Sequence, residues 1–303
     1  MKDMKVYFND DYVASPHEST TTRKSAKVAE ALRSEQSVQL VDPNQSVALE
    51  LLEEVVSSTH TREYIGALQS GEPKSLATSS SFEWGLTTYR FALAHSHGVL
   101  AAVVSALGGD NRAGTLSSGL HHARPDTGLG FCTLNGIAIG AAHALALGHR
   151  VVILDFDAHF GGGTFAHLAN LNKDGKPHVI QIDVSVSKFD DYTSYAPHYR
   201  AFVACGDAPD RPYLAAIEKA LSYGDSLNLD DAIVIYNAGV DPVNGAHFDD
   251  PAGTMLDRDK MVAEWVGQRP AIFTLAGGYT TGFKLNEIVN MHVGTVKAWA
   301  SVT

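Results

Sequence analysis

Four short, almost uninterrupted apolar runs constrain the fold most: VVILDF (151–156), HVIQIDV (178–184), DAIVIYN (231–237) and AIFTLA (271–276). A strand with one wet face alternates apolar and polar residues. These runs do not alternate, so both of their faces must be covered. Strands covered on both faces belong to parallel sheets, whose crossover connections are usually helices. Helix-spaced segments are present around them: KSAKVAEALRSE (24–35), SVALELLEEVVSS (46–58), FALAHSHGVLAAVVSAL (91–107) and NGIAIGAAHALALG (135–148), the last with Gly148 as a stop. Pro212–Ser222 and Asp257–Gly267 fit helices between the later strands. The pattern predicts an α/β fold, an open and mostly parallel sheet with helices on both faces. No repeat, low-complexity tract or Pro/Gly/Ser-rich linker divides the chain, so residues 1–303 are expected to form a single domain. SLATSSSFEWG (75–85) reads as a surface loop within it.

Composition narrows the function. The formal charge of −11 opposes binding to nucleic acid or to an anionic membrane, and is compatible with a cationic substrate. With 45% hydrophobic and 19% charged residues, the chain has material for a sizeable core and too little charge for disorder. Cys132 and Cys205 do not make a disulfide framework. MKDMKVYFNDDYV (1–13) carries charges where a signal peptide needs an apolar core, and the apolar stretches 98–109 and 136–148 look too short to span a bilayer. A reduced, cytoplasmic protein is expected.

Ligands of parallel sheets sit beyond the carboxyl ends of the strands, and there the chemistry gathers. The first run passes into Asp155-Phe156-Asp157-Ala158-His159, followed by Gly161-Gly162-Gly163. Residues i, i+2 and i+4 of an extended chain share a side. Two carboxylates and an imidazole therefore converge, a donor set suited to Zn²⁺, Fe²⁺, Mn²⁺ or Co²⁺. The plainer alternative is a helix-capping Asp and a satisfied core histidine. A neighbouring run ends in Asn237-Ala238-Gly239-Val240-Asp241, and Asp241 is either a further carboxylate ligand or the Asp of an Asp-Pro turn. The last run ends in Ala276-Gly277-Gly278-Tyr279, whose phenol could donate a hydrogen bond into a pocket. His121-His122 lies in a Gly-rich loop before a helix. One helix and one strand separate it from the Asp155 segment, so it reaches the same rim if neighbouring strands carry the two. There the pair could act as general base and electrostatic partner.

Together these segments resemble the histone deacetylase superfamily, which includes acetylpolyamine amidohydrolases and acetoin-utilisation proteins and shares the arginase-like fold. HHARPDTGLGFCTLN (121–135), ILDFDAHFGGGT (153–164), NAGVD (237–241) and LAGGY (275–279) match its motifs in order. VYFNDDY (6–12) and the His60-to-Tyr64 segment are weaker matches. The resemblance implies a zinc-dependent amidohydrolase that deacylates an amine such as an acyl-lysine, an acetylpolyamine or a small amide. It implies Asp157, His159 and Asp241 as metal ligands and His122 as general base. His121 would be held by Asp155, Tyr279 would be the oxyanion donor, and Gly130 and Phe131 would line the acyl channel. It also implies a structural monovalent cation bordered by the Asp155 backbone, and members that occur as monomers, dimers or tetramers.

Three departures qualify it. The family often places an Asp or Asn where this chain has Gly162, so the side chain that would orient His122 is missing, and a water or another side chain has to replace it. SPHESTTTRKS (15–25) departs from the family's N-terminal loop, and the stretch DPVNGAHFDDPAG (241–253) is longer than the family's usual turn, so its acidic residues beyond Asp241 are not placed. Two alternatives follow: a weak or silent deacetylase-like protein that binds an acylated ligand, and an arginase-type ureohydrolase. The latter uses two Mn²⁺ ions and needs Asp ligands after His159, where this chain has glycines. Cys132 reads as a small buried thiol. His95, His97, His143 and His149 read as helix-face or cap residues. Asp10-Asp11, Asp190-Asp191 and Asp249-Asp250 read as solvated loops.

Overall fold

A computed structural model describes residues 3–14, 20–118, 120–173, 176–192, 199–203, 210–227, 229 and 231–302. Among the described residues the strands are β1 (Met4–Tyr7), β2 (Val38–Val41), β3 (Arg112–Thr115), β4 (Arg150–Asp155), β5 (Val179–Ser185), β6 (Tyr199–Val203), β7 (Ala232–Gly239) and β8 (Ala271–Ala276). They form one sheet in the order β2-β1-β3-β8-β7-β4-β5-β6, and every pairing is parallel. The four apolar runs are β4, β5, β7 and β8, each within two residues of the expected bounds, and β7, β4 and β5 are consecutive in the sheet.

Continuous apolarity has the expected consequence. Alternate residues of one strand enter different cores: Val152 and Leu154 of β4 pack on one face with the helices Pro251–Val266 and Leu285–Ala300. Val151 and Ile153 pack on the other with Leu86–Ser105 and Gly136–Ala146. Helices therefore cover both faces, and the expected α/β architecture is the observed one.

The helix beginning at Leu86 continues through a π-type turn to Asp110. Its 25 residues are long and apolar enough to cross a bilayer, contrary to the expectation that the apolar stretches are too short, but 78% of its most apolar window is buried inside the fold. It approaches β3 closely through Gly98, where a Cβ would lie 1.6 Å from the Tyr12 hydroxyl and 2.5 Å from Thr115 Oγ1. His95 and His97 on this helix face Tyr12 O at 3.1 Å and Val47 O at 2.9 Å, as satisfied core histidines. Residues 15–19 of the N-terminal loop lie outside the described residues; from Thr20 to Leu32 the chain is already helical, four residues earlier than expected.

One buried cation fixes the strand ends that matter. Arg258, fully buried, donates through Nη1 to Phe156 O at 3.2 Å, just before Asp157, and to Gly239 O, two residues before Asp241. Asp259 balances its charge at 2.8 Å and also accepts from Tyr236 and Thr295, at 2.6 Å each. Removing one partner of a buried pair leaves the other charge uncompensated. Arg258→Met is therefore expected to lower the free energy of unfolding by about 3–5 kcal/mol. Urea denaturation measures it, and a loss below about 0.5 kcal/mol, the scale of a neutral surface change, would show that the brace does not matter.

Candidate metal and acid–base site

β4, β7 and β8 lie side by side, and their carboxyl ends deliver Asp157, Asp241 and Tyr279 to one rim. β4 stops at Asp155 and the chain bends, so the three polar residues of Asp155-Phe156-Asp157-Ala158-His159 do not share one side as an extended strand would place them. Asp155 stays beneath the rim. Its Oδ1 accepts from Asn237 Nδ2 at 2.8 Å and its Oδ2 faces His121 Nδ1 at 2.9 Å. Asp157 and His159 come forward and meet Asp241. One ligand atom from each of the three lies within 4.8 Å of the others, a grouping Asp155 does not join.

Asp241 opens the turn Pro242–Gly245 without capping it through its side chain. Its Oδ1 accepts from the Ala158 amide at 3.1 Å, while its buried Oδ2 accepts no hydrogen bond. The close approach is permitted by Gly277, at φ 53°, where a Cβ would fall 2.1 Å from the Asp241 carboxyl carbon. Burial and the Asp157 charge push the Asp241 carboxyl up to about 7. Burial opposes ionisation of Asp157 as well, but the facing His121 and His159 rings hold it below the usual carboxylate range. Two buried carboxylates and an imidazole, with one carboxylate oxygen orphaned, fit a divalent cation bound by oxygen and nitrogen.

The tandem histidines arrive from β3, which β8 and β7 separate from β4. Their reach comes from the long loop between β3 and the helix Gly136–Ala146. Asn135 caps that helix at the Ala138 amide, 2.9 Å away, and receives a further brace from below. His60 Nε2 accepts from its amide at 3.1 Å, and the Tyr64 hydroxyl donates to Thr133 O at 2.7 Å. The rings of His121 and His122 lie 3.9 Å apart, yet their charge states diverge. Burial disfavours a charged His121, but Asp155 and Asp157 outweigh it and hold its pKa up at about 10. Burial and the charge on His121 push His122 down to about 4.

Gly162 does not leave His122 without a partner. Its Nδ1 lies 2.9 Å from Asp190 Oδ2, and since an ionised carboxylate only accepts, Nδ1 carries the proton. Asp190 is thus not in the solvated loop expected of it. Its side chain is 2% exposed and pairs with Arg124. Gly162 and Gly163 form the first turn of the helix Gly162–Leu171. Asp249 and Asp250 are exposed as expected, and Asp250 caps the helix Pro251–Val266.

Tyr279, Gly130, Phe131 and Cys132 border the same cavity as the Asp157, His159 and Asp241 cluster. Gly130 has φ 53°, and a Cβ there would lie 2.7 Å from the His122 ring. Phe131, also left-handed at φ 63°, is held half-exposed with its ring 5.5 Å from Phe82. Burial pushes the Cys132 thiol up, in keeping with an inert role. Burial, then Asp241 and Asp157, raise the Tyr279 phenol.

Four contributors escaped the sequence reading. Phe82 lies in the segment read as a surface loop, and Phe91 in a helix read as core, yet both line the cavity. Phe189 stands 5.0 Å from the His122 ring and 5.5 Å from His159, each edge to face. Lys24, fully buried, donates to Gly277 O and faces Asp241 and Asp157; burial lowers its pKa to about 8. Flanked by Arg23 and Ser25, it carries no sequence signal that separates it from a surface lysine.

A family model described as the histone deacetylase domain matches residues 17–192, more than half of the chain. The chain belongs to the histone deacetylase family. It is 28% identical over 176 residues to histone deacetylase 2 of Arabidopsis thaliana, covering 54% of this chain and 43% of that protein. A probable deacetylase of Archaeoglobus fulgidus is 27% identical over 165 residues, 52% of this chain and 46% of its own length. Acetoin utilization protein AcuC of Staphylococcus aureus is 33% identical over 116 residues, 35% and 30% of the two chains. The chain thus spans less than half the length of these relatives. Among solved structures, an acetylpolyamine aminohydrolase of Burkholderia pseudomallei superposes with a TM-score of 0.77 over 99% of both chains at 16% identity, a likeness of fold.

A cation held by Asp157, His159 and Asp241 has to displace the proton that Asp241 keeps up to about pH 7. Divalent-cation affinity is therefore expected to rise at least about tenfold per pH unit below neutrality, since Asp241 gives up its proton and so does His159, whose proton Asp157 and Asp241 hold on against burial. Competition titration against a chelating dye measures this, and a flat profile between pH 5 and 7, the range set by Asp241, rejects it.

Proposed function

We propose that this chain hydrolyses the amide of an acylated amine, an acyl-lysine peptide, an acetylpolyamine or a small amide, with one divalent cation, zinc by the family's general use. The observation that carries the reading is the unequal charge of two touching histidines, His121 cationic and His122 neutral, beside a carboxylate–imidazole cluster. Environments that push neighbouring pKa values apart assign acid and base roles. Asp157, His159 and Asp241 would hold the cation. When bound, it supplies Lewis acidity, lowering the pKa of a water and polarising a carbonyl.

The remaining work falls to the chain's own groups. His122 is neutral near pH 7, with its proton on Nδ1, so Nε2 is free to accept a proton from the attacking water. His121 stays charged against Asp155 and offsets the surrounding anions. Tyr279, kept protonated by burial and by two carboxylates, donates to the oxygen on which negative charge develops. The proton held at His122 Nε2 then passes to the leaving amine. Phe82, Phe91 and Phe131 make an apolar wall around the approach, suited to an extended, uncharged stem.

Among the described residues only one ligand cluster of this kind occurs, which favours a deacetylase over a two-manganese ureohydrolase. The contact between Asp190 and His122 removes the reason for reading the chain as silent. We also propose that residues 1–303 work as one catalytic domain, in a reduced cytoplasmic setting.

The test is turnover by the zinc-loaded protein on acetyl-lysine peptides, acetylpolyamines, small acyl amides, arginine and agmatine. At least one acyl amine is expected to be hydrolysed, and His122→Ala and Tyr279→Phe are each expected to reduce kcat by about 10²–10³. Turnover of arginine or agmatine rejects the reading, as does activity that survives both substitutions.

A further inference from the structure

His122 is useful as a base only while its ring is held with Nε2 toward the cavity, and the group that holds it comes from an unexpected place. Asp190 sits in the loop after β5, far from the Asp155–His159 segment in the chain. Its Oδ2 lies 2.9 Å from His122 Nδ1 and accepts from the Gly163 amide at 3.1 Å, while its Oδ1 accepts from Arg124 Nη2. The Phe160 amide donates to Phe189 O at 3.2 Å and pins the loop. Asp190 adopts φ 59°, a left-handed conformation that Asp tolerates better than most residues. Its carboxylate fills the space above Gly162, where a Cβ would lie 2.3 Å from Asp190 O and 2.4 Å from its Oδ1.

We propose that Asp190 is the positioning residue of His122, that Arg124 holds its carboxylate in place, and that residue 162 is glycine because Asp190 occupies the room a side chain would need. The proposal rests on the reading of His122 as proton acceptor. It differs from a loop-anchoring role in one respect. An anchor needs only the Gly163 amide and Arg124, whereas a positioning residue also sets the tautomer and orientation of the imidazole. Restoring a carboxylate at 162 is then not a repair: Gly162→Asp drives the Asp190 loop outward, backbone included, and separates His122 from its partner.

The experiment pairs histidine ¹⁵N NMR with kinetics on the zinc-loaded full chain. The His122 resonances are assigned by their absence in H122Q. The wild type is expected to show His122 protonated at Nδ1 in a strong hydrogen bond. Asp190→Asn, which keeps an acceptor oxygen, preserves that signature; Asp190→Ala and Gly162→Asp lose it. On the best acyl amide, Asp190→Ala is expected to lose about 10–100-fold in kcat with KM and zinc content little changed, and to show a shifted acid limb in its pH profile. Asp190→Asn recovers most of the loss. Should Asp190→Ala not fold, Asp190→Ser removes the carboxylate while offering the Gly163 amide an acceptor, and is read in the same way. An unchanged His122 signature in Asp190→Ala or Asp190→Ser overturns the proposal, as does full kcat in either. If the wild type turns over no substrate, the hydrolase reading fails, and the NMR comparison still decides whether Asp190 sets the His122 ring.

Discussion

The structure is organised around buried negative charge at the ends of parallel strands. Asp155, Asp157 and Asp241 are each at most 2% exposed, and all sit where β4 and β7 give out. Isolated carboxylates in such a place are costly, so everything around them supplies compensation. Asn237 and His121 satisfy Asp155, the Ala158 amide satisfies one oxygen of Asp241, and buried Lys24 faces the group from the N-terminal helix. Oδ2 of Asp241 accepts no hydrogen bond and has the His159 ring at 3.5 Å, which leaves it open to a cation.

This arrangement explains why the site needs the whole sheet. Parallel strands bring their carboxyl ends to one edge, so residues distant in the chain meet without any strand bending toward the others. Arg258 then ties the carbonyl that follows β4 to the last carbonyl of β7, bracing the segments that carry Asp157 and Asp241. The precision belongs to the strands. The rim around them is loop, and it is there that Phe131 and Asp190 take left-handed backbone, conformations that persist only where surrounding contacts enforce them.

The same division separates what the sequence reveals from what it hides. β4, β5, β7 and β8 are legible because strands buried on both faces have an unbroken apolar signature. β1, β2 and β3 are four residues each, and β3 is Arg-Ala-Gly-Thr, too short and too mixed to stand out. Asp157, His159, Asp241 and the paired histidines are legible as motifs because they follow those strands or sit as an unusual pair in a Gly-rich loop. Asp190, Phe82, Phe189 and Lys24 are not, since nothing in the spacing of a loop says which of its residues folds back over a site. Asp190 in particular has a local pattern, Asp190-Asp191, that is that of a solvated turn. Only the tertiary contact with His122 and Arg124 distinguishes it.

The histidine pair shows why such a contact has chemical weight. Two imidazoles 3.9 Å apart do not both carry charge without strong repulsion, so the carboxylates around them decide which one does. Asp155 and Asp157 favour His121, and the resulting cation disfavours a proton on the second nitrogen of His122. Asp190 pulls the other way, since a carboxylate at Nδ1 makes the ring a better proton acceptor at Nε2. Its charge is shared with Arg124, and burial together with the charge on His121 keeps His122 neutral at rest. A base that is neutral before the reaction and stabilised once it has taken a proton is what the proposed amide hydrolysis would ask of this position. Here that balance is set by a residue outside every motif the chain displays.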